Sequence, residues 1–188
     1  MHRPATAIFN ELVTTFPPGN DRNHILLLIE RLQYSRDLHQ AVVDTYTLLT
    51  QDNKFSSLDQ ASYLAGMSHY TLGSVQEGIK ILKTIPHASP YSPFGQLAIA
   101  KSYTRLEDFE EATHLLNSLG ELTPQEDPIL KALSEKSRLT LGLLWLDLKQ
   151  YEKGASVLTS IPVESPFYSD ALFEIGRASC RERVCQYV

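Results

Sequence analysis

The phrase LHQAVVDTYTLL at 38–49 returns three times along the chain, as VQEGIKILKTI at 75–85, FEEATHLLNSL at 109–119 and YEKGASVLTSI at 151–161. Each copy opens on an apolar or aromatic residue, Leu38, Val75, Phe109 or Tyr151. A small residue follows at Ala41, Gly78, Ala112 and Gly154, then Thr45, Leu82, Leu116 and Leu158, then Leu48, Ile85, Leu119 and Ile161. Offsets of three and four place these columns on one side of a helix. Such a unit is too small to bury its apolar face alone, so recurrence predicts a row of stacked units.

A second helical segment precedes each copy. Twelve residues before each small anchor lie Ile29, Gly66, Ala100 and Gly142, three of them small again. Small side chains on both segments let two antiparallel helices approach closely, and the links SRD, GS, ED and KQ suit tight helix–helix turns. Asp108, ahead of Glu110 and Glu111, reads as a helix cap with favourable charge behind it. The small anchors are 37, 34 and 42 residues apart.

This pattern resembles tetratricopeptide repeats, whose unit is a helix–turn–helix of about 34 residues. YLAGMSHYTLGSVQEGIKIL at 63–82, AIAKSYTRLEDFEEATHLL at 98–116 and LTLGLLWLDLKQYEKGASVL at 139–158 carry the resemblance, and the copy at 23–49 is weaker. The resemblance implies an all-α fold, a right-handed solenoid of antiparallel helix pairs truncated at both ends. The array is expected over 5–173: an orphan helix at 5–16, pairs near 23–51, 57–85, 93–120 and 128–161, and the first helix of a further pair from 167.

IPHASPY at 85–91 and IPVESPF at 161–167 match 76 residues apart. Proline cannot continue a helix and pushes its predecessor to an extended backbone. Each phrase therefore reads as a stop, a turn and a restart, with Tyr91 or Phe167 wedged against the next helix. A Ser-Pro modification site is the sharper alternative, and the turn is favoured. These linkers are similar to those of bacterial envelope repeat proteins, which implies the periplasmic side of the envelope or the cytoplasm.

IGRASCRERV at 175–184 matches one frame of a widely used sequencing adapter, so residues 175–188 read as a non-native tail. The apolar pattern stops near Phe173, and the end is expected to fray. The tail holds three arginines, one glutamate and both cysteines, Cys180 and Cys185; without it the chain has 14 basic against 21 acidic side chains. A metal or redox role for the cysteine pair lacks further Cys or His ligands nearby.

The net charge is −5 and no basic cluster precedes residue 175, which argues against nucleic acid. No apolar run approaches the roughly 20 residues of a membrane span. The six histidines are scattered, no glycine-rich phosphate loop occurs, and the carboxylates of LEDFEEA at 106–112 read as a solvated helix start. No enzyme activity, cofactor or metal is expected.

The resemblance implies a protein or peptide ligand on a concave surface lined by first helices. Gln33 and Tyr34, with Glu30, are the candidates in the first copy, and Tyr63, Met67 and Tyr70 in the second. Lys101, Thr104 and Arg105 follow in the third, while the fourth offers Lys136, Leu139, Leu143, Leu146 and Asp147. Tyrosine and arginine make good interface anchors. The expected function is a non-catalytic protein-binding scaffold; the alternatives are the regulatory repeats of a larger enzyme or sensor and a self-associating array.

Overall fold

The computed structural model describes residues 19–51, 55–122 and 127–185, together with Glu11 and Thr15. Every regular element among them is a helix. The orphan helix expected at 5–16 lies almost wholly outside the described residues. The chain divides into two compact units, 1–91 and 92–188.

The first unit holds α1 (Asn20–Ser35), α2 (His39–Leu49), α3 (Leu58–Leu72) and α4 (Val75–Leu82). Each helix packs on the next, and the first helices α1 and α3 also touch. Leu26, Leu27, Leu49, Phe55 and Ala61 form a buried cluster.

The second unit holds α5 (Ser92–Arg105), α6 (Phe109–Gly120), α7 (Pro128–Asp147), α8 (Tyr151–Thr159) and α9 (Tyr168–Cys185). Successive helices again pack together, with α5 against α7 and α7 against α9. One core gathers Leu97, Ala100, Ala112, Leu116, Leu133 and Leu144. A second gathers Leu139, Leu146, Leu158, Ile161, Ala171 and Ala178. Asp127, which the sequence reading passed over, caps α7 by accepting from the Ile129 and Leu130 N–H groups, ahead of Pro128 in the first turn. Asp108 occupies the cap position of α6 without making a side-chain cap bond.

Each pair turns through one left-handed residue: Asp37, Gly73, Glu107 and Lys149. These corners are 36, 34 and 42 residues apart by position. The first copy is therefore one residue out of the register expected from sequence. Its columns run through Val42 and Leu49, both fully buried, and not through the half-buried Ala41 and Leu48. Leu38, the expected opening of the apolar column, is exposed at the turn.

The same shift puts Glu30 into the crossing column that Gly66, Ala100 and Gly142 fill elsewhere. A Cβ at Gly66 would lie 2.5 Å from Leu82 Cγ, and one at Gly142 would lie 2.5 Å from Leu158 Cγ. Close approach of the two helices requires glycine at both places. Glu30 is completely buried there, and neither carboxylate oxygen has a hydrogen-bond partner among the described residues. Burial alone pushes its pKa from 4.5 to about 9.

The two proline linkers fold alike. Ser89 donates to Asp59 Oδ2, and its oxygen accepts from the Tyr91 N–H at 3.1 Å. Ser165 donates to Glu135 Oε2 at 2.8 Å and accepts from the Phe167 N–H at 3.1 Å. Both aromatic rings meet the first helix of the preceding pair, and Phe167 also packs on the cluster that holds Ala171 and Ala178 of α9. Tyr91 packs 6.1 Å from the ring of Tyr63 on α3, and Lys136 of α7 stands 4.8 Å over Phe167. The seryl hydroxyls are engaged in holding these turns, which explains the motif without modification.

The end of the chain also differs from expectation. α9 runs on to Cys185, and Ile175 and Ala178 continue the stripe begun by Ala171. They pack over Leu139, Leu146 and Leu158, so the apolar pattern extends past Phe173.

Candidate partner-binding surface

In the first unit the surface is built from α1 and α3. Tyr34, in the last turn of α1, is half-buried and meets His39 edge-on at 5.7 Å. Tyr63, half-buried on α3, lies against Tyr91. Burial raises the pKa of both phenols, Asp37 adding to it at Tyr34 and Tyr34 itself adding to it at Tyr63. Tyr63 and Tyr91 thus form an aromatic pair beside α3, with Tyr34 on the adjoining first helix α1, largely apolar but with hydroxyl edges. Met67 and Tyr70, four and seven residues beyond Tyr63, carry the half-buried face along α3.

Glu30 and Gln33 leave this face. Glu30 sits in the hairpin crossing, as described above. Gln33 Oε1 accepts the Thr45 hydroxyl at 2.8 Å, so its side chain is turned toward α2. The register shift instead puts Arg31, which is exposed, in the column of Met67 and Lys101. The sequence reading missed it because Leu38, exposed at the turn, imitated the apolar start of the second helix.

In the second unit Lys101 is half-buried and Arg105 exposed, while Thr104 donates its hydroxyl to the Ala100 carbonyl at 3.1 Å. Burial holds the Lys101 ammonium below its usual range, and the charge of Lys136 adds to the effect. Leu139 and Leu146 are buried and Leu143 packs against them, all beneath α8 and α9. The neighbouring helices cover Leu139 and Leu146, whereas Leu143 stays half-buried. Tyr34, Tyr63, Met67 and Tyr70 belong to the first unit; Lys101, Thr104 and Arg105 belong to the second.

Two other hollows lie in the second unit. One of about 340 Å³ is lined by Glu110, Thr113, His114, Asn117, Leu141 and Trp145, with Lys153 4.8 Å over the tryptophan ring. The other, of about 590 Å³, opens on α9 beside Leu172, Phe173, Gly176, Arg177 and Cys180. Among the described residues no group of three or more His, Cys, Asp or Glu side chains could hold a metal ion, and no helix is long and apolar enough to cross a membrane.

No family model and no curated protein matches this sequence. Solved structures do match. The nearly identical TPR-like repeats of a Podosopora anserina protein described as a kinesin light chain superpose with a TM-score of 0.64 at 15% identity, over 91% of this chain and 92% of that one. A point variant of the same repeats gives 0.65 at 15% identity, covering 92% of each chain. At that identity the likeness establishes the fold: an all-α, TPR-like array of antiparallel helix pairs.

Proposed function

We propose that this chain is a non-catalytic scaffold that binds another protein along the exposed faces of its first helices. The observation that carries this reading is the Tyr63–Tyr91 pair, with half-buried Met67 and Tyr70 along α3 and Tyr34 on the adjoining α1. Half-buried tyrosines offer large contact area at little cost in side-chain freedom, the property that makes tyrosine an interface anchor. Lys101 and Arg105 supply polar contacts in the second unit. Folds of this class commonly serve protein–protein interaction, which supports the reading.

In the same reading, residues 175–188 are a non-native tail, whose residues up to Cys185 prolong helix α9. The linker resemblance favours a bacterial envelope or cytoplasmic setting. Replacing Tyr63, Tyr70, Lys101 and Arg105 together by alanine should weaken a verified protein partner by at least about tenfold, with helical content unchanged by circular dichroism. Undiminished binding would reject the surface assignment.

A further inference from the structure

Helix α9 repeats the seat that the other first helices offer to their second helices. The two proline linkers match 76 residues apart, and the same step carries Leu97 to Phe173 and Ala100 to Gly176. Leu97 and Ala100 are buried in the core shared with α6, and Leu139 and Gly142 are buried beneath Leu158 of α8. On α9 no described residue fills the seat. Phe173 is 66% and Leu172 55% exposed, and a carbon added at Gly176 would meet nothing within 4 Å. The hollow of about 590 Å³ is this seat, lined by Leu172, Phe173, Gly176, Arg177 and Cys180.

The filled seats define what fits. Val75, Gly78 and Leu82 dock on α3, and Tyr151, Gly154 and Leu158 dock on α7. Each set is an apolar residue, a small one three on and a larger one four beyond. The small residues pack by the carbonyls of Gly66 and Gly142, and the leucines fill the space over those glycines. On its own open stripe α9 carries the same pattern, as Phe173, Gly176 and Cys180. The stripe is therefore both seat and filling. Arg177, at its edge, bonds Glu174 at 2.7 Å and lies 5.9 Å over the Phe173 ring.

Charge sets the direction. Asp170 and Glu174 precede Gly176 on α9, whereas Arg177, Arg181 and Arg183, with the single acid Glu182, follow it. Laid antiparallel, two such helices run each acidic half beside the basic half of the other.

We infer that two copies of this chain pair through α9, antiparallel, with Gly176 at the two-fold axis and Phe173 of each copy beside Cys180 of the other. Such a contact is isologous and closes at two copies. It stands independently of the scaffold reading, and it belongs to the chain with its helix through Cys185 in place. One helix pair buries less than the roughly 1,200 Å² of a stable complex, so the dimer is weak, with a midpoint on the order of 10–100 μM.

Sedimentation equilibrium on the full chain in reducing buffer, from about 5 to about 500 μM, tests the pairing. The mass should rise from one chain to two and stop there. Phe173→Asp and Gly176→Leu should each raise the midpoint at least about tenfold. Both positions are exposed, so circular dichroism should show the helices kept. Leu172 and Cys180 stand four residues to either side of Gly176, which sets them opposite one another in the antiparallel pair. Under diamide, Leu172→Cys should therefore give a covalent dimer, and adding Cys180→Ser should abolish it. A mass that stays at one chain, a mass that climbs past two, midpoints unmoved by both variants, or cross-linking that survives Cys180→Ser would each overturn the inference. Alanine at Tyr63 and Tyr70 should leave the midpoint unchanged; a shift there would move the contact to the first unit and overturn it as well.

Discussion

Ser165 reaches back 30 residues to donate its hydroxyl to the buried carboxylate of Glu135, at 2.8 Å. Ser89 makes the same bond to Asp59 across the same separation in the first unit. Each bond ties a proline linker to the helix pair it has just left, and each serine oxygen also pins the restart of the chain through a backbone N–H.

Removing either partner strands the other. Ser165→Ala should leave Glu135, only 4% exposed, without its donor. An unsatisfied buried carboxylate costs about 1–3 kcal/mol. Urea denaturation should show that loss for Ser165→Ala, and a smaller one for Ser89→Ala because Ser89 is only half-buried. A change in stability below about 0.3 kcal/mol would remove the bond from any structural role.

Glu30 makes stability depend on pH in an unusual direction. Below about 4.5 its carboxyl is protonated in folded and unfolded chains alike. Between 4.5 and about 9 the unfolded chain releases the proton while the folded one retains it, so the unfolded state gains. Stability should therefore fall across that window, by on the order of several kcal/mol, and level off above it. Denaturation midpoints taken at pH 5, 7 and 9 should decline in the native chain and decline less in Glu30→Gln.

The crossing glycines should respond unequally to a methyl group. At Gly78 the added carbon would meet the Gly66 carbonyl oxygen at 2.8 Å, a backbone atom that cannot swing aside. At Gly142 it would meet Leu158, a side chain with some freedom. At Gly176 it would meet nothing within 4 Å. Gly78→Ala should cost about 2–3 kcal/mol and Gly142→Ala about 1–2 kcal/mol, while Gly176→Ala gains up to about 1 kcal/mol from helix propensity. Thermal unfolding of the three variants checks the order.

The docking of α9 can be checked at Ala178, which is buried among Leu139, Leu146, Leu158 and Ile161. Ala178→Asp should destabilise the second unit by at least about 2 kcal/mol, because an unpaired carboxylate enters an apolar cluster. Ser179→Ala, one residue on, breaks only a bond to the Ile175 carbonyl and should change stability by under about 1 kcal/mol. Equal effects would show that Ile175 and Ala178 do not pack as described.

The helical columns of the later copies could be read from sequence because offsets of three and four are imposed by helix geometry itself. The first copy misled for a local reason. Its corner, Asp37, is followed one residue on by Leu38, which is apolar but 52% exposed. The apolar Leu38 beside the corner imitated the start of a column. One residue of slip then moved Glu30 and Gln33 from the hairpin interior to the supposed binding face, and hid Arg31. The seryl–carboxylate bonds were illegible for another reason. Their partners lie a whole helix pair apart, and no local pattern records such a meeting.

The four corners have a practical side. Three of them, Asp37, Glu107 and Lys149, hold a side chain in a conformation that only glycine visits freely, at about 1 kcal/mol each. All three point outward into water. A designer wanting a hardier version of this array could therefore write glycine at those bends, leaving helix faces, cores and binding residues untouched.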